Sequence, residues 1–383
     1  MGLRLVGGRI VTADAVLADG SLSIAPDGTI AALNRDAVPG EMDIPLGGRL
    51  LLPGFVDLHG DAIEKEVEPR PGAFFPLAVA LDSIDRRCAM AGITTAFHGV
   101  SFASGEMGVR DPARAKALVE NLAAFRPQAL VDHRIHSRYE ITDPLSAPVL
   151  AELLGARQLD LLSFMDHTPG QGQYKDVAVY RGYLAREYRT DAASVEALIQ
   201  RKIAQAGPAW NRVAELAARA RQQKVPVAGH DVEGLERIAF LKALGAGICE
   251  FPLDLTTARA AHTEGLATLF GAPNVMRGKS TSGALSAREA IHAGVATGLC
   301  SDYAPQSLLP AVGVLTRELE FELPAAVALV SSKPAQAVGL VDRGVIAQDK
   351  RADLLVVSTR GPENTLRLDG VWCRGRPVVA TSR

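Results

Sequence analysis

A surplus of charge of one sign, paired cysteines and long apolar runs are all missing from this chain. Its 41 Lys and Arg nearly balance 43 Asp and Glu, so no whole-chain field draws it to nucleic acid, and any anionic ligand must be met by a local cluster. The four cysteines, Cys88, Cys249, Cys300 and Cys373, lie far apart with no C-x-x-C spacing. That argues against a structural zinc knuckle and predicts buried, reduced thiols. No apolar stretch reaches about 18 residues, and MGLRLVGGRI lacks a basic segment followed by an apolar run and a small-residue cleavage site. The expectation is a cytoplasmic chain with no membrane partner. Internal repeats and low-complexity tracts are also lacking.

What is present is the balance of a globular protein. With 48% hydrophobic and 22% charged residues over 383 positions, a sizeable core is expected. From Leu3 to about Leu33, short apolar runs alternate with Gly and Asp-Gly turns, a β-meander without room for a core of its own. The end of the chain has the same character in ADLLVVS (352–358) and GVWCRGRPVV (370–379). Both ends are therefore expected to pair into one small β-sandwich, residues 1–50 with 345–383, flanking a central unit over 51–344.

Within that unit about eight strand-like runs alternate with helical patterns. This is the signature of βα units on a parallel sheet, and the number is that of an α/β fold of the (β/α)8 TIM-like barrel type. The runs centre on FVDLH (55–59), TTAFH (94–98), RIHSRYE (134–140), LLSFMDH (161–167), VPVAGHD (225–231), GICEFP (247–252), ATLFGAPN (267–274) and GLCSD (298–302). The helical pattern over 77–91 stops at Gly92, as a C-terminal glycine cap requires. One crossover, 168–224, is far longer than a βα connection needs. Helical patterns near 177–188, 191–206 and 209–223, the last two broken by Gly207 and Pro208, suggest a lid or a contact between copies in a homo-oligomer.

In such a barrel, side chains at the C-terminal ends of strands converge on one mouth. His59 and Asp61 follow an apolar run, and His167, His230 and Asp302 end three others. Each alone reads most simply as a satisfied structural His or a helix-capping Asp. Five together make a donor set for a divalent ion, because imidazole nitrogen and carboxylate oxygen replace its water shell. His98, His262 and His292 lack that support. Period-two alternation puts Arg134, His136, Arg138 and Glu140 on one face of the third run. Facing inward, Glu140 could bridge ions and Arg138 bind an anion; facing outward, they are solvated pairs. Lys65 and Arg70 after the first run, and Arg277, Lys279, Ser280 and Ser282 after the seventh, bring cations and hydroxyls to the mouth, where they suit phosphoryl oxygens. Taken singly, each is an ordinary solvated group.

These residues also carry a resemblance. PGFVDLHGD is similar to the PGFxDxHxH opening of the amidohydrolase superfamily, and SSKPAQAVGLVDRGVIAQDKRADLLVV resembles its return into the β-sandwich. Asp61 stands where most members have a second His. GDAIEKEVEPRP, HRIHSRYE, FMDHTPGQGQY, GAPNVMRGKSTSG and CSDYAP narrow the resemblance, over nearly the whole chain, to the α-D-ribose 1-methylphosphonate 5-triphosphate diphosphatases of phosphonate catabolism. That resemblance implies a metal-dependent hydrolase that converts a ribose 5-triphosphate to the 5-phosphate with release of diphosphate. His59, Asp61, Glu140, His167, His230 and Glu250 would hold one or two divalent ions, zinc first, with manganese or magnesium as alternatives. Glu250 occupies a strand end where many members carry a His. Asp302 would be the catalytic base. Lys65, Arg70, Arg138, Gln171, Asn274, Arg277, Lys279 and Ser280 would bind the anionic sugar triphosphate. Two alternatives stay open, since a fold does not fix a substrate: cleavage of a C–N bond in a cyclic amide or N-acyl substrate, and a non-catalytic oligomeric scaffold.

Overall fold

A computed structural model describes residues 2–104, 108–170, 172–188, 191–280, 283–362 and 364–380. In chain order its first strands are β1 (Leu3–Val11), β2 (Val16–Ile24), β3 (Ile30–Leu33), β4 (Met42–Pro45) and β5 (Leu50–Pro53). Then come β6 (Phe55–Gly60), β7 (Ile93–Phe102), β8 (Asp132–Glu140), β9 (Leu161–Met165), β10 (Val227–His230), β11 (Ile248–Glu250), β12 (Ala267–Gly271) and β13 (Gly298–Cys300). The last are β14 (Leu354–Arg360), β15 (Thr365–Cys373) and β16 (Arg376–Ala380).

The two chain ends make one sheet, in the order β16-β15-β14-β5-β1-β2-β3 with β4 beside β1. Its seam is the antiparallel pair β5 and β14, where Leu51 faces Val356 and Leu52 faces Leu355. The seam sequences, LLLP and LLVV, are apolar without alternation because both faces are buried. Leu51, Leu354 and Val356 join a core with Leu5, Ile10, Leu22, Ile30 and Trp372, whereas Leu50, Leu52, Leu355 and Val357 belong to the core of the barrel. The N-terminal meander thus acquires a core only when the other end of the chain meets it. The sheet runs to Pro53, past the expected boundary at 50.

β6 to β13 are parallel and pair in sequence order, so all eight expected runs are barrel strands. The ring closes between first and last strand: Asp61 N–H donates to the Asp302 carbonyl at 2.8 Å, and Asp302 N–H to the His59 carbonyl at 2.8 Å. Val56, Leu58, Phe97, Leu161, Ala228, Ile248 and Leu269 make an apolar floor with Ala335 from the helix Ser332–Ala337. Two residues further along their strands, Ser163 and Glu250 begin a buried polar level, and the mouth opens beyond it. The helix Leu77–Met90 ends ahead of Gly92, whose φ of 81° is left-handed as the cap requires.

The long crossover differs from expectation at one point. Gly207 and Pro208 do not break it; a single helix runs Ala192–Gln222. A proline inside a helix costs about 3 kcal/mol or more, and burial on both sides of it offsets that cost. Before Pro208, Val195, Leu198 and Ile199 pack with Tyr180 and Leu184. After it, Ala209, Val213, Leu216, Ala217 and Ala220 enter the main core. The four cysteines are free and buried. Among the described residues no helix is long and apolar enough to cross a membrane.

Because Leu51 is fully buried at the seam, Leu51→Ala is expected to cost about 2–5 kcal/mol. The measure is a lower urea midpoint. Leu51→Met, which conserves volume, should stay within about 1.5 kcal/mol of the unaltered chain.

Candidate active site

Local irregularities aim the functional side chains. The β6–β7 register slips between Asp57 and Gly60, a kind of bulge that re-aims side chains, and here Leu58 enters the floor while the next residue, His59, enters the mouth. Asp231 (φ 51°), Phe251 (φ 49°) and Asp302 (φ 54°) turn left-handed just past the ends of β10, β11 and β13. Such a conformation is uncommon for residues with a side chain and clusters at functional sites. Together these turns shape a cleft of about 270 Å³ at the mouth, lined by His59, Asp61, Arg138, His167, His230, Asp231 and Asp302. Arg110, Asn274, Arg277, Lys279 and Ser280 line it too, and Tyr174, Tyr180 and Leu184 of the long crossover contribute a wall.

Two buried carboxylates orient the histidines from behind. Glu250 Oε1 lies 3.3 Å from His59 Nδ1, and its Oε2 lies 3.2 Å from His230 Nδ1. Ser163 Oγ–H donates to Oε2 at 2.8 Å. Glu140 serves His167 in the same way, with Oε2 3.1 Å from Nδ1 and 3.1 Å from Lys202 Nζ. The rings of His59 and His230 stack at 5.2 Å. With each Nδ1 engaged, each Nε2 turns toward the cleft.

Whether these groups fit a divalent ion is answered by their unmet polar atoms. The buried Nε2 atoms of His59 and His167 make no hydrogen bond among the described residues, although Asp61 Oδ1 lies 3.3 Å from the first and Asp231 Oδ2 3.7 Å from the second. Two donor sets that share no residue result: His59 with Asp61 and Asp302, and His167 with His230 and Asp231, each set with its ligand atoms within 4.8 Å of one another. Imidazole and carboxylate in these proportions suit zinc, manganese or magnesium. Glu250 forms a third such set with His59 and His230, but it meets them at Nδ1, the arrangement in which a carboxylate braces a ligand.

The field of the site asks for positive charge. Burial disfavours the His59 imidazolium, yet the Asp61 and Glu250 carboxylates outweigh it and carry the pKa up to about 10. At His167 burial is likewise outweighed by the neighbouring Asp231 and Glu140 carboxylates, and the pKa rises to about 9. Burial lowers His136 to about 3, and burial together with Asp61 pushes the Asp302 carboxyl up to about 6. Arg138 meets part of the demand: Nη1 donates to both Asp61 oxygens at 2.9 Å, and Nη2 lies 3.1 Å from His230 Nε2. Gly99 makes room for this pair, since a Cβ there would stand 2.5 Å from Asp61 Oδ1 and 3.1 Å from Arg138 Cδ.

The structure brings His59, Asp61, His167, His230, Asp302, Arg138, Asn274, Arg277, Lys279 and Ser280 to the cleft. The ionic face of β8 points inward at His136, Arg138 and Glu140, all three buried. Glu140 and Glu250 sit behind the histidines. Lys65 and Arg70 are exposed and do not line the cleft, because the helix Ala62–Val67 buries Ala62, Ile63, Glu64 and Val67 and leaves Lys65 outside. Gln171 and Ser282 lie outside the described residues. His98 turns to the helix layer, its Nε2 2.6 Å from His133 Nδ1, and His133 Nε2 is 2.9 Å from Asp85; His262 and His292 are exposed.

Sequence reasoning missed Asp231, Arg110 and the tyrosine wall. Asp231 had a signal, a carboxylate directly after a strand-end His, but alternation puts it on the opposite face from His230, and only the left-handed turn returns it to the cleft. Arg110 closes the turn Gly108–Arg110, with its Nε 3.4 Å from Glu64 Oε2. No spacing in the sequence marks it.

Residues 211–378 match the model of the amidohydrolase family. Over 367 residues the chain is 33% identical to the alpha-D-ribose 1-methylphosphonate 5-triphosphate diphosphatase of Escherichia coli (strain K12), a match that covers 94% of this chain and 96% of that protein. Among solved structures, the N-acetylglucosamine-6-phosphate deacetylase from Pasteurella multocida is similar with a TM-score of 0.65 at 13% identity, over 98% of this chain and 99% of that one. The D-hydantoinase from Bacillus sp. AR9 has a TM-score of 0.65 at 14% identity, over 99% and 95%. At such identities the structures show the shared fold alone, whereas the near-full-length match decides the family. The chain belongs to the amidohydrolase family of hydrolases, in the branch that includes the Escherichia coli diphosphatase.

Proposed function

We propose that the chain hydrolyses α-D-ribose 1-methylphosphonate 5-triphosphate to the 5-phosphate and diphosphate. The observation that carries this reading is one cleft that joins an imidazole and carboxylate donor set to Arg110, Arg138, Arg277 and Lys279. A neutral ring amide needs no such cations, whereas a substrate with a triphosphate at one end and a phosphonate at the other does. The identity of 33% to the Escherichia coli protein supports the same substrate.

His59, Asp61, His167, His230 and Asp231 would hold one or two divalent ions, zinc first, with manganese or magnesium as alternatives. Such an ion, when bound, lowers the pKa of water and polarises a phosphoryl oxygen. Glu250 and Glu140 keep the Nδ1–H groups of the three histidines engaged, so that the Nε2 atoms of His59 and His167 remain lone-pair donors toward the cleft, while that of His230 faces Arg138 Nη2 at 3.1 Å. Asp302, raised to about 6 by burial and by Asp61, is ionised at neutral pH and basic enough to take a proton from the attacking water. As oxygen adds to phosphorus the anhydride P–O bond breaks, and Arg and Lys side chains neutralise the charge on the departing diphosphate. Tyr174, Tyr180 and Leu184, on the long crossover, wall the cleft as a lid would.

The direct test is diphosphate release by the metal-reconstituted chain from the ribose 1-methylphosphonate 5-triphosphate and from nucleoside triphosphates. A clear preference for the first is expected. Turnover of a cyclic amide without any diphosphate release would reject the reading.

Asp302→Asn is expected to lower kcat about 10²–10⁴-fold while elemental analysis still finds the ion. Loss of the ion in that variant would make Asp302 a ligand instead. In Gly99→Ala the added methyl displaces Asp61 and Arg138, and kcat/KM should fall about 10²-fold with an unchanged circular dichroism spectrum. Normal turnover there would show that the Asp61–Arg138 pair is not needed in this geometry.

A further inference from the structure

The helix Ala192–Gln222 of the crossover reaches behind the site as well as beside it. It carries Lys202, which is 4% exposed. A lysine buried to that degree needs a fixed counter-charge, and its Nζ lies 3.1 Å from Glu140 Oε2. The same oxygen is 3.1 Å from His167 Nδ1. The other oxygen, Oε1, accepts from the Thr142 hydroxyl at 2.7 Å and from the Thr142 N–H at 3.3 Å. Donors thus converge on both oxygens of one carboxylate, which leaves it a single orientation and a single charge state.

We infer that Lys202 is a positioning residue for the ion site, acting through Glu140 to fix the ring of His167. The neighbouring histidines show the contrast. His59 and His230 share Glu250, and Glu250 is braced from within the barrel by Ser163. The carboxylate behind His167 takes its brace from the crossover. The same helix presents Val195, Leu198 and Ile199 to Tyr180 and Leu184, two residues of the cleft wall. One helix therefore touches both the cleft wall and the carboxylate behind His167.

The inference rests on the reading that His167 holds a divalent ion. Its test is the Kd of the full chain for Zn²⁺, measured by competition with a chelator. Lys202→Met is expected to weaken binding about tenfold or more, and Lys202→Arg to restore most of the loss. Against a Glu140→Gln background, Lys202→Met should weaken binding no further. That double variant leaves no charge of the pair buried alone, so its Kd, expected to be about tenfold or more weaker than that of the unaltered chain, serves even where either single variant fails to fold. An unchanged Kd in folded Lys202→Met, or a further loss in the double variant relative to Glu140→Gln, overturns the inference and leaves Lys202 a purely structural role. Absence of Zn²⁺ binding by the unaltered chain would overturn the reading of His167 itself, a different result from an ion that binds without regard to Lys202.

Discussion

Glu250 is wholly buried, and two histidines on different strands share its carboxylate. Burial alone would neutralise it, but the imidazoles of His136 and His59 hold its pKa well below the usual carboxylate range. A charge at that depth is tolerable only where its lone pairs are met. Hydrogen bonds from Ser163 and from the histidine rings meet them, and in doing so they settle which nitrogen of each ring faces the cleft. The tautomers of His59 and His230 are therefore decided at the polar level of the barrel interior, one layer below the place where substrate would sit. The apolar floor beneath keeps water from reaching that carboxylate from the other side.

Much of this was legible in the chain because it depends on periodicity. Eight apolar runs ending in polar residues gave the barrel and its mouth, and the family opening PGFVDLHGD marked the first strand. Alternation along β8 sorted its side chains correctly into two faces, and what the sequence left open was which face turned inward. The unread part depends on backbone turns and on partners distant in sequence. Asp231 enters the cleft through a left-handed turn that alternation cannot foresee. Lys65 follows the right strand but lands on the outer face of a short helix. Pro208 looked like a helix end because local propensity argues so; apolar residues on both sides of it, packed into two separate cores, override that propensity.

The division of labour within the fold is sharp. Strand ends supply imidazole and carboxylate, an arrangement the barrel repeats by its symmetry. The cations come from elsewhere, with Arg110 from a turn beyond β7 and Arg277 and Lys279 at and beyond the end of the helix after β12. Relatives with this architecture are named for deacetylation and for hydantoin chemistry. The fold alone therefore does not fix the bond that is cleaved, and in this chain the cations stand on segments other than the strands whose ends carry the buried carboxylates.

Closure of the barrel has a consequence in time. The ring is completed where Asp302 bonds to the backbone of His59 and Asp61, and just below, Ser301 binds Asp57 across 244 residues of sequence. Contacts of such long range form late, because the loop entropy must be lost before they repay it. A chain still emerging from the ribosome would hold His59 and Asp61 long before it holds Asp302. The cleft is therefore complete only once β13, the last strand of the barrel, has met β6.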